Sequence, residues 1–370
     1  MKNSIKLFSA MLLITVLFVG MASGQSLEER IQTMAAKNAE FYVNPLATAF
    51  GSGMNSGWFH SAKPHKLLGF DFGARAMAVT FPDEQKTFKV DLSDLTFSET
   101  FNLAGTDYNI SLNPNDIYLD RTAPTFLGDK EVVDVSPRSQ NEIEQMITGQ
   151  LQDQGIPDLI LNHTDTQDMI SEFAEAFPVF SLSGIGLKAL PLVVPQAAVG
   201  LSLPMLPIKA EIVFRGVPEI ELSEELGSFQ FFGGGVKLAL DPFIPIPMFP
   251  VNIAVGAYTQ KMALGSVFEA NNTLLTLMAG KDLSLLLFGV GVYGAVGMES
   301  SNIEINYEYM NDEDVNDPLN GTAIKFDLKG ENKFRTTIGG RIRLAVFNIS
   351  ADYTMGADNV LTAGVGISIR

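Results

Sequence analysis

The last residues of the chain alternate strictly between apolar and polar side chains, and this alternation constrains the fold more than any other feature. One face of the final segment carries only apolar residues: Leu361, Ala363, Val365, Ile367 and Ile369. The other face carries polar residues and glycine: Thr362, Gly364, Gly366, Ser368 and Arg370. A period of two is the side-chain period of a β-strand. Segments 335–346 and 349–355 repeat the pattern, so the sequence predicts a run of β-hairpins that closes the chain.

Two kinds of β protein show this alternation. In a soluble two-sheet sandwich the polar face points outward to water and the apolar face forms the core. In a transmembrane barrel the apolar face contacts lipid and the polar face lines the lumen. Periodicity alone does not say what the apolar face touches, so both folds remain open at this point.

The N-terminus favours the barrel, because it has the pattern of an export signal. Lys2 and Lys6 precede an apolar run from Leu7 to Val19, and small residues follow as far as Gly24. This order is typical of a secretory signal peptide, here residues 1–24. The chain contains no cysteine, so the sequence predicts neither a bacterial lipid anchor nor disulfides. Its net charge of −17 argues against nucleic acid as a partner.

The length suits a single all-β fold, a transmembrane antiparallel β-barrel of about 12 to 16 strands. After the signal, the sequence has no stretch of the roughly 18 continuous apolar residues that a spanning helix needs. We therefore predict three regions: the signal peptide 1–24, an N-terminal helix and plug or hatch at 25–66, and the barrel at 67–370. Two apolar stripes at helical spacing predict a small helical insert in the barrel at about 139–178.

The hatch prediction comes from two features of residues 25–66. Ser26 and Glu29 form a capping box ahead of apolar residues at helical spacing, which predicts a short amphipathic helix. Residues 42–58 are rich in turn formers and contain Asn44, Pro45 and the single tryptophan, Trp58. We interpret these three residues as part of a plug that leads into the first strand.

Several blocks of the sequence carry a resemblance to known proteins. They are Asn55–His60, Gly69–Asp71, Leu190–Pro191, Pro195–Gln196, Phe249–Pro250 and Ala351–Gly356. In these blocks the chain resembles an uncharacterised family of exported β proteins from Bacteroidota-type bacteria. Through Asn44–Pro45 it is more distantly similar to the long-chain fatty-acid transporter (FadL-like) barrels, which hold an N-terminal hatch. The resemblance implies an outer-membrane barrel and brings no activity with it. The terminal Arg370 departs from the aromatic ending usual in such barrels.

Two groups of residues are candidates for contact with a ligand or for lining a pore. Segment 241–250 is apolar and rich in proline, and it would expose Phe243, Ile246 and Phe249 unless something covers them. It is either a loop on the barrel rim or a landing site for an apolar ligand. The arginines at 335, 341 and 343 fall on the polar face of a strand. They either line a pore or pair with inward acids on other strands.

Motifs that would indicate an enzyme or a bound cofactor fail on their context. Gly289, Gly291 and Gly294 fit a dinucleotide fingerprint, but strand rather than helix follows them. The acidic stretch 312–317 lacks the spacing of a calcium loop, and His60, His65 and His163 lack that of a zinc site. We therefore expect no enzyme activity, no cofactor and no metal.

These observations together predict an outer-membrane channel or transporter for small molecules, hydrophobic ones included. The alternatives are a structural barrel that conducts nothing and an exported soluble β-sandwich that binds a ligand. The expected partners are outer-membrane lipid, the barrel-assembly machinery and a small hydrophobic ligand. Counting hairpins back from the C-terminus places the acidic loop 311–321 on the periplasmic side, although long loops in such barrels usually face outward.

Overall fold

The computed structural model describes residues 36–93, 97–201, 208–223, 227–244, 250–265, 267–308 and 323–369. The predicted signal peptide and the capping box at Ser26 lie outside these residues. Contacts divide the described chain into two compact units, one made of residues 43–82 and 187–369, the other of residues 36–42 and 83–186. Among the described helices, none is long and apolar enough to cross a bilayer.

The elements of the described chain begin with helix α1 (Ala36–Met54) and strand β1 (Phe70–Thr80). The insert 83–186 follows with β2 (Thr87–Lys89), β3 (Phe97–Leu103), β4 (Thr106–Leu112), α2 (Pro114–Ile117), β5 (Thr122–Pro124), β6 (Val133–Val135), α3 (Gln140–Asp153), α4 (Asp158–Leu161), α5 (Thr164–Glu175) and β7 (Phe180–Leu182). The remaining strands are β8 (Leu190–Gly200), β9 (Ala210–Ser223), β10 (Gly227–Ala239), β11 (Asn252–Leu264), β12 (Phe268–Leu285), β13 (Phe288–Glu308), β14 (Ala323–Lys329), β15 (Phe334–Leu344), β16 (Phe347–Met355) and β17 (Asn359–Ile369).

Ten strands form a closed antiparallel barrel, which confirms the predicted all-β barrel fold. The ring runs β12, β11, β10, β9, β8, β1, β17, β16, β15 and β13, and pairing of β13 with β12 closes it. Because the sheet closes on itself, the two-sheet sandwich alternative is wrong. Strand β14 is not an eleventh strand of the ring. It pairs with the C-terminal part of β13, beyond the N-terminal part that pairs with β15.

The predicted number of 12 to 16 strands is too high, for two physical reasons. Strands β12 and β13 are 18 and 21 residues long, and β13 covers parts of two segments, 283–297 and 302–309, whose patterns in the sequence suggest separate strands. The insert also accounts for part of the chain length, so a strand number estimated from chain length is too high. With β13 as a single strand, Glu308 and Ala323 pair at the end of the barrel opposite Ile369. The acidic loop 311–321 lies outside the described residues, but the strand ends that flank it are not on the C-terminal side.

The barrel wall has an apolar outer face and a polar inner face. On β17, Leu361 and Val365 are 56% and 58% exposed, whereas Thr362 and Ser368 are 1% and 3% exposed. The same alternation of exposed and buried residues runs along β16. A one-residue slip in register would invert every side chain, so the faces are fixed along each strand. The apolar positions predicted from the sequence are therefore the outward ones.

Helix α1 replaces the turn-rich stretch that the sequence suggests for residues 42–54. It continues through Pro45 to Met54. Its glycines serve close packing rather than turns: a Cβ at Gly51 would lie 2.1 Å from Ser301 Oγ, and one at Gly53 would lie 2.4 Å from Leu192 Cδ1. Glycine is therefore required where the helix approaches barrel side chains closely, and this need is not visible in the sequence alone.

The insert has its own hydrophobic core. Helices α3 and α5 bury Ile143, Ile147 and Ile170 in it, and the β3–β4 hairpin adds Phe101 and Ile110. Ser139 and Glu142 form a capping box that begins α3, and their hydrogen bonds lower the pKa of Glu142. Tyr118 donates to Pro178 O at 2.8 Å, and burial raises its pKa to about 12. The core and the capped helices make the insert a compact unit.

Candidate functional site: the barrel lumen

Residues 54–65, which we call the lumen segment, begin at the last residue of α1 and contact the inner face of the barrel. Arg215 on β9 donates from Nη1 to Met54 O at 3.0 Å and from Nη2 to Ser56 O at 2.7 Å. Gln260 on β11 donates to Met54 O at 2.6 Å. Both side chains are almost fully buried. The backbone carbonyls of Met54 and Ser56 are therefore satisfied by side chains of the barrel wall.

Trp58, predicted as a plug residue, belongs to the lumen segment and contacts three strands of the barrel wall. Its ring stacks on Tyr258 with centroids 4.8 Å apart, and Arg215 Cζ lies 4.0 Å from its centroid. Gln196 on β8 donates to Trp58 O at 3.1 Å. Aromatic stacking contributes about 0.5 to 1.5 kcal/mol, and a desolvated cation–π contact contributes about 2 kcal/mol. The single tryptophan is thus a firm attachment point of the lumen segment.

The first histidine of the segment contacts an ion pair on β1. Arg75 lies 3.2 Å from Asp71 Oδ1 and 2.9 Å from His60 Nδ1. Asn348 on β16 donates to the second oxygen of Asp71 at 2.7 Å. Arg75 and Asp71 are each 1% exposed. This buried pair links two strands of the wall to the lumen segment.

The second histidine contacts a separate ion pair on β9 and β10. His65 Nδ1 lies 2.5 Å from Glu211 Oε2, and the backbone N–H of His65 donates to the same oxygen at 2.9 Å. Lys237 lies 2.6 Å from Glu211 Oε1 and also donates to Ser61 O at 3.1 Å. The two histidines thus have different carboxylate partners. Among the described residues, no cluster of three acidic or histidine side chains could hold a metal ion.

Two of the predicted arginines point into the lumen and pair with acids. Arg335 lies 2.5 Å from Glu299 on β13, and it also donates to Ser56 in the lumen segment. Arg341 lies 2.6 Å from Asp282 on β12, whose carboxylate also accepts a hydrogen bond from Ser61 at 2.9 Å. Each pair therefore joins the wall to the lumen segment. Arg343 differs: it is partly exposed and donates to Ser284 at 3.2 Å.

Glycines on β13 make two of these contacts possible. Arg341 and Asp282 lie on strands that flank β13, and Gly291 is the register partner of both. A Cβ at Gly291 would lie 2.2 Å from Asp282 Oδ1, so any other residue would push the pair apart. Arg343 reaches Ser284 across Gly289 in the same way. The sequence that resembles a dinucleotide fingerprint thus clears the inner face of a strand for side chains that bridge its neighbours.

The other predicted site residues lie apart from this network. Asn44 is on α1 and donates to Glu331 at 3.3 Å, and Pro45 is the next residue of the same helix. Phe243 ends a short 3-10 turn, Asp241–Phe243, and is 58% exposed. Ile246 and Phe249 lie outside the described residues. The structure therefore brings the arginines at 335 and 341 together with the lumen segment.

The lumen is closely filled at the level of the lumen segment. A cavity lined by Ser56, Phe59, Thr276, Arg335 and Asp352 has a volume of about 10 Å³. This is close to the space that a single water molecule needs. This cavity has no room for a solute in this conformation, and Arg335 beside it is paired with Glu299 and donates to Ser56 of the lumen segment.

Comparison with known proteins places the chain in a family. Residues 1–369 match a family model described as "Family of unknown function (DUF6588)". The chain belongs to this family. No curated protein matches it. The Bacteroidota origin of the family stays a prediction.

Solved structures with weak similarity include two barrels. One is a mutant of the Rh. blastica porin, at 8% identity, covering 50% of this chain and 94% of the porin chain with a TM-score of 0.15. The other is the Pseudomonas putida toluene transporter TodX, at 11% identity, covering 81% of this chain and 89% of that chain with a TM-score of 0.21. At such scores no residue or role carries over from either protein to this DUF6588 chain.

Sequence reasoning found the inward arginines but missed their partners and the buried groups on other strands. The missed residues include Arg75, Glu211, Arg215, Lys237 and Glu299. A usable signal exists, because a charged residue on the polar face of an alternating strand is an inward residue once the barrel is assumed. The identity of each partner depends on register between strands, which the sequence of one strand does not contain.

Proposed function

We propose that this protein is an outer-membrane β-barrel. The observation that carries the proposal is the orientation of the wall, with large apolar side chains exposed on the outside and charged pairs buried inside. Phe334, Ile338, Ile342 and Leu344 alternate along β15 and are each 48% to 69% exposed. A water-soluble barrel would expose its polar face instead, and soluble monomers rarely expose large apolar surfaces. Closed barrels also satisfy the backbone hydrogen bonds that lipid cannot satisfy.

We further propose that the barrel is a gated channel or transporter for small molecules, hydrophobic ones included. The lumen segment acts as the hatch, because it fills the interior and is attached through side chains rather than by strand pairing. Passage then requires the segment to move, since the cavity beside Ser56 and Arg335 holds no more than about one water molecule. The predicted export signal at 1–24 supports the same location.

A non-conducting structural barrel is the second candidate, and a specific observation favours it. The lumen segment is attached to β9, β10, β12 and β15 through charged side chains: Arg215, Lys237 and Arg335 are buried, and Asp282 is partly buried. Removing one member of a buried ion pair costs about 3 to 5 kcal/mol. A hatch held by several such contacts opens rarely, and a permanently closed lumen would conduct nothing.

Cell fractionation tests the location first. Recovery in the outer membrane, with a band that migrates differently before and after boiling, is the expected result for a closed membrane barrel. Recovery in the soluble periplasmic fraction would contradict the proposal.

Planar-bilayer recordings then separate the two candidates. A gated transporter should show brief openings in the intact protein and a steady pore when residues 36–66 are deleted. A structural barrel should be silent when intact and conduct only in the deletion variant. A steady pore in the intact protein would refute the hatch.

A further inference from the structure

Strands β8 and β9 are neighbours in the ring but pair along only part of their length. Their register pairs run from Gln196 to Gly200 on β8 and from Glu211 to Arg215 on β9. Beyond that point, β8 pairs with β1 as far as Leu190, and β9 pairs with β10 as far as Ser223. Within the described residues, the two strands therefore separate in the half of the wall that lies away from Ile369.

Prolines on both strands explain this separation. Pro191 and Pro195 lie on the unpaired part of β8, and Pro218 lies on the unpaired part of β9. Proline has no N–H to donate to a sheet and is confined to edges and bulges. The β9–β10 pairing also has a register shift beside Pro218. The parts of β8 and β9 that do not pair with each other are therefore two strand edges within a closed barrel.

A groove lies on the outside of the wall where the strands begin to separate. It has a volume of about 370 Å³, in the range of small-ligand sites. Phe72, Ala197 and Phe214 are register partners across β1, β8 and β9, so a small residue lies between two large aromatic ones. Phe232 lines the same groove. Gln196 and Arg215 lie at its base, and their polar groups are already bonded to each other and to the lumen segment.

We propose that this groove binds one acyl chain of a bilayer lipid. The proposal rests on the proposed location in the membrane. The groove continues the apolar outer face, since Phe72, Phe214 and Phe232 are 61%, 45% and 67% exposed beside it. It opens toward the surrounding lipid. The side chains that line its walls carry no charge, and Arg215 at the base is engaged on its lumen side, so an extended hydrocarbon chain fits its chemistry better than a polar solute.

Native mass spectrometry of the full chain in detergent tests the proposal. Delipidated protein is titrated with dioleoylphosphatidylcholine, and the number of lipids retained after detergent wash is counted. Ala197→Phe fills the groove between its two aromatic neighbours. Ala363→Phe is the matched control, because Ala363 is also an outward alanine but lies on β17, which pairs with β1 on one side and β16 on the other. We expect the wild type and Ala363→Phe to retain one lipid and Ala197→Phe to lose it.

A second variant covers the case in which Ala197→Phe fails to fold. Phe214→Ala removes one wall of the groove, so it should weaken lipid retention without filling space. Equal retention by the wild type, Ala197→Phe and Phe214→Ala would overturn the proposal, as would retention of oleate but not of the phospholipid. Gel migration before and after boiling reports the closed membrane barrel independently. A heat-modifiable band with no retained lipid in the wild type would refute the groove alone.

Discussion

Replacing Arg335 by methionine should destabilise the protein strongly, because it leaves a carboxylate buried without its partner. The side chains of Arg335 and Glu299 are 4% and 1% exposed, and they lie 2.5 Å apart. Breaking such a pair from one side costs about 3 to 5 kcal/mol. Arg335→Met also removes the hydrogen bonds to Ser52 O and Ser56. We therefore expect a loss of at least about 3 kcal/mol in the free energy of unfolding.

The double variant Arg335→Met/Glu299→Met separates the ion pair from side-chain packing. With both charges gone, no buried charge is left unpaired, so the double variant should recover most of the stability lost in the single one. Arg343→Met is the control on the same strand. Its guanidinium is partly exposed and makes a hydrogen bond to Ser284, so the same substitution should cost about 1 kcal/mol or less.

Equilibrium unfolding in urea, with the protein in detergent or lipid vesicles, measures these differences. Trp58 is the only tryptophan and is buried against Tyr258, so its fluorescence reports release of the lumen segment together with unfolding. Two results would refute the reasoning. One is an Arg335→Met variant no less stable than Arg343→Met. The other is a double variant whose loss of stability equals the sum of the losses in Arg335→Met and Glu299→Met. Such additivity would mean that the two side chains do not interact.

Three further substitutions test other parts of the structure. Gly149→Ala in α3 should stabilise the insert by about 0.5 to 1 kcal/mol, because a Cβ there meets no atom within 4 Å. A variant that unfolds at a lower temperature than the wild type would contradict this expectation. The ion pair with Lys37 lowers the pKa of Asp91 below its ordinary value of 3.8, so its contribution to stability is present above that pH and is lost as the pH falls below it. In Asp91→Asn the urea midpoint of unfolding should therefore depend less on pH across that range than it does in the wild type. Val365→Arg on the outer face should cost about 2 to 4 kcal/mol in lipid vesicles, and a neutral result there would contradict contact with lipid.

The sequence predicts the two faces of the wall well, because alternation is a property of each strand by itself. Leu361 and Val365 point outward and Thr362 points inward, as their order along the chain requires. Strand number depends on where strands end, and the break between Gly297 and Asn302 in the predicted pattern does not interrupt β13. Local composition cannot show that neighbouring strands keep a segment extended across such a point.

The interior of the barrel is less predictable for a different reason. Gly51 looks like a turn former in the sequence, yet it lies in a helix that touches Ser301. Arg341 looks like a pore-lining charge, yet Asp282 accepts its hydrogen bond across Gly291. Both facts depend on residues that are distant in the chain and are brought together by register. Register over a ten-stranded ring is a property of the whole sheet and cannot be read from any one segment.

The position of the lumen segment in the chain has a consequence for the order of assembly. It immediately precedes β1, and β17, the last strand of the chain, pairs with β1 in the ring. Several of its polar partners, Arg215, Lys237 and Asp282, lie on strands between these two, so these contacts do not require β1 and β17 to be paired. Joining the seam brings together ends almost three hundred residues apart, Phe70 and Ile369, and long closures of this kind are slow. A lumen segment that already contacts several strands shortens that search, and the barrel then closes with the segment inside it.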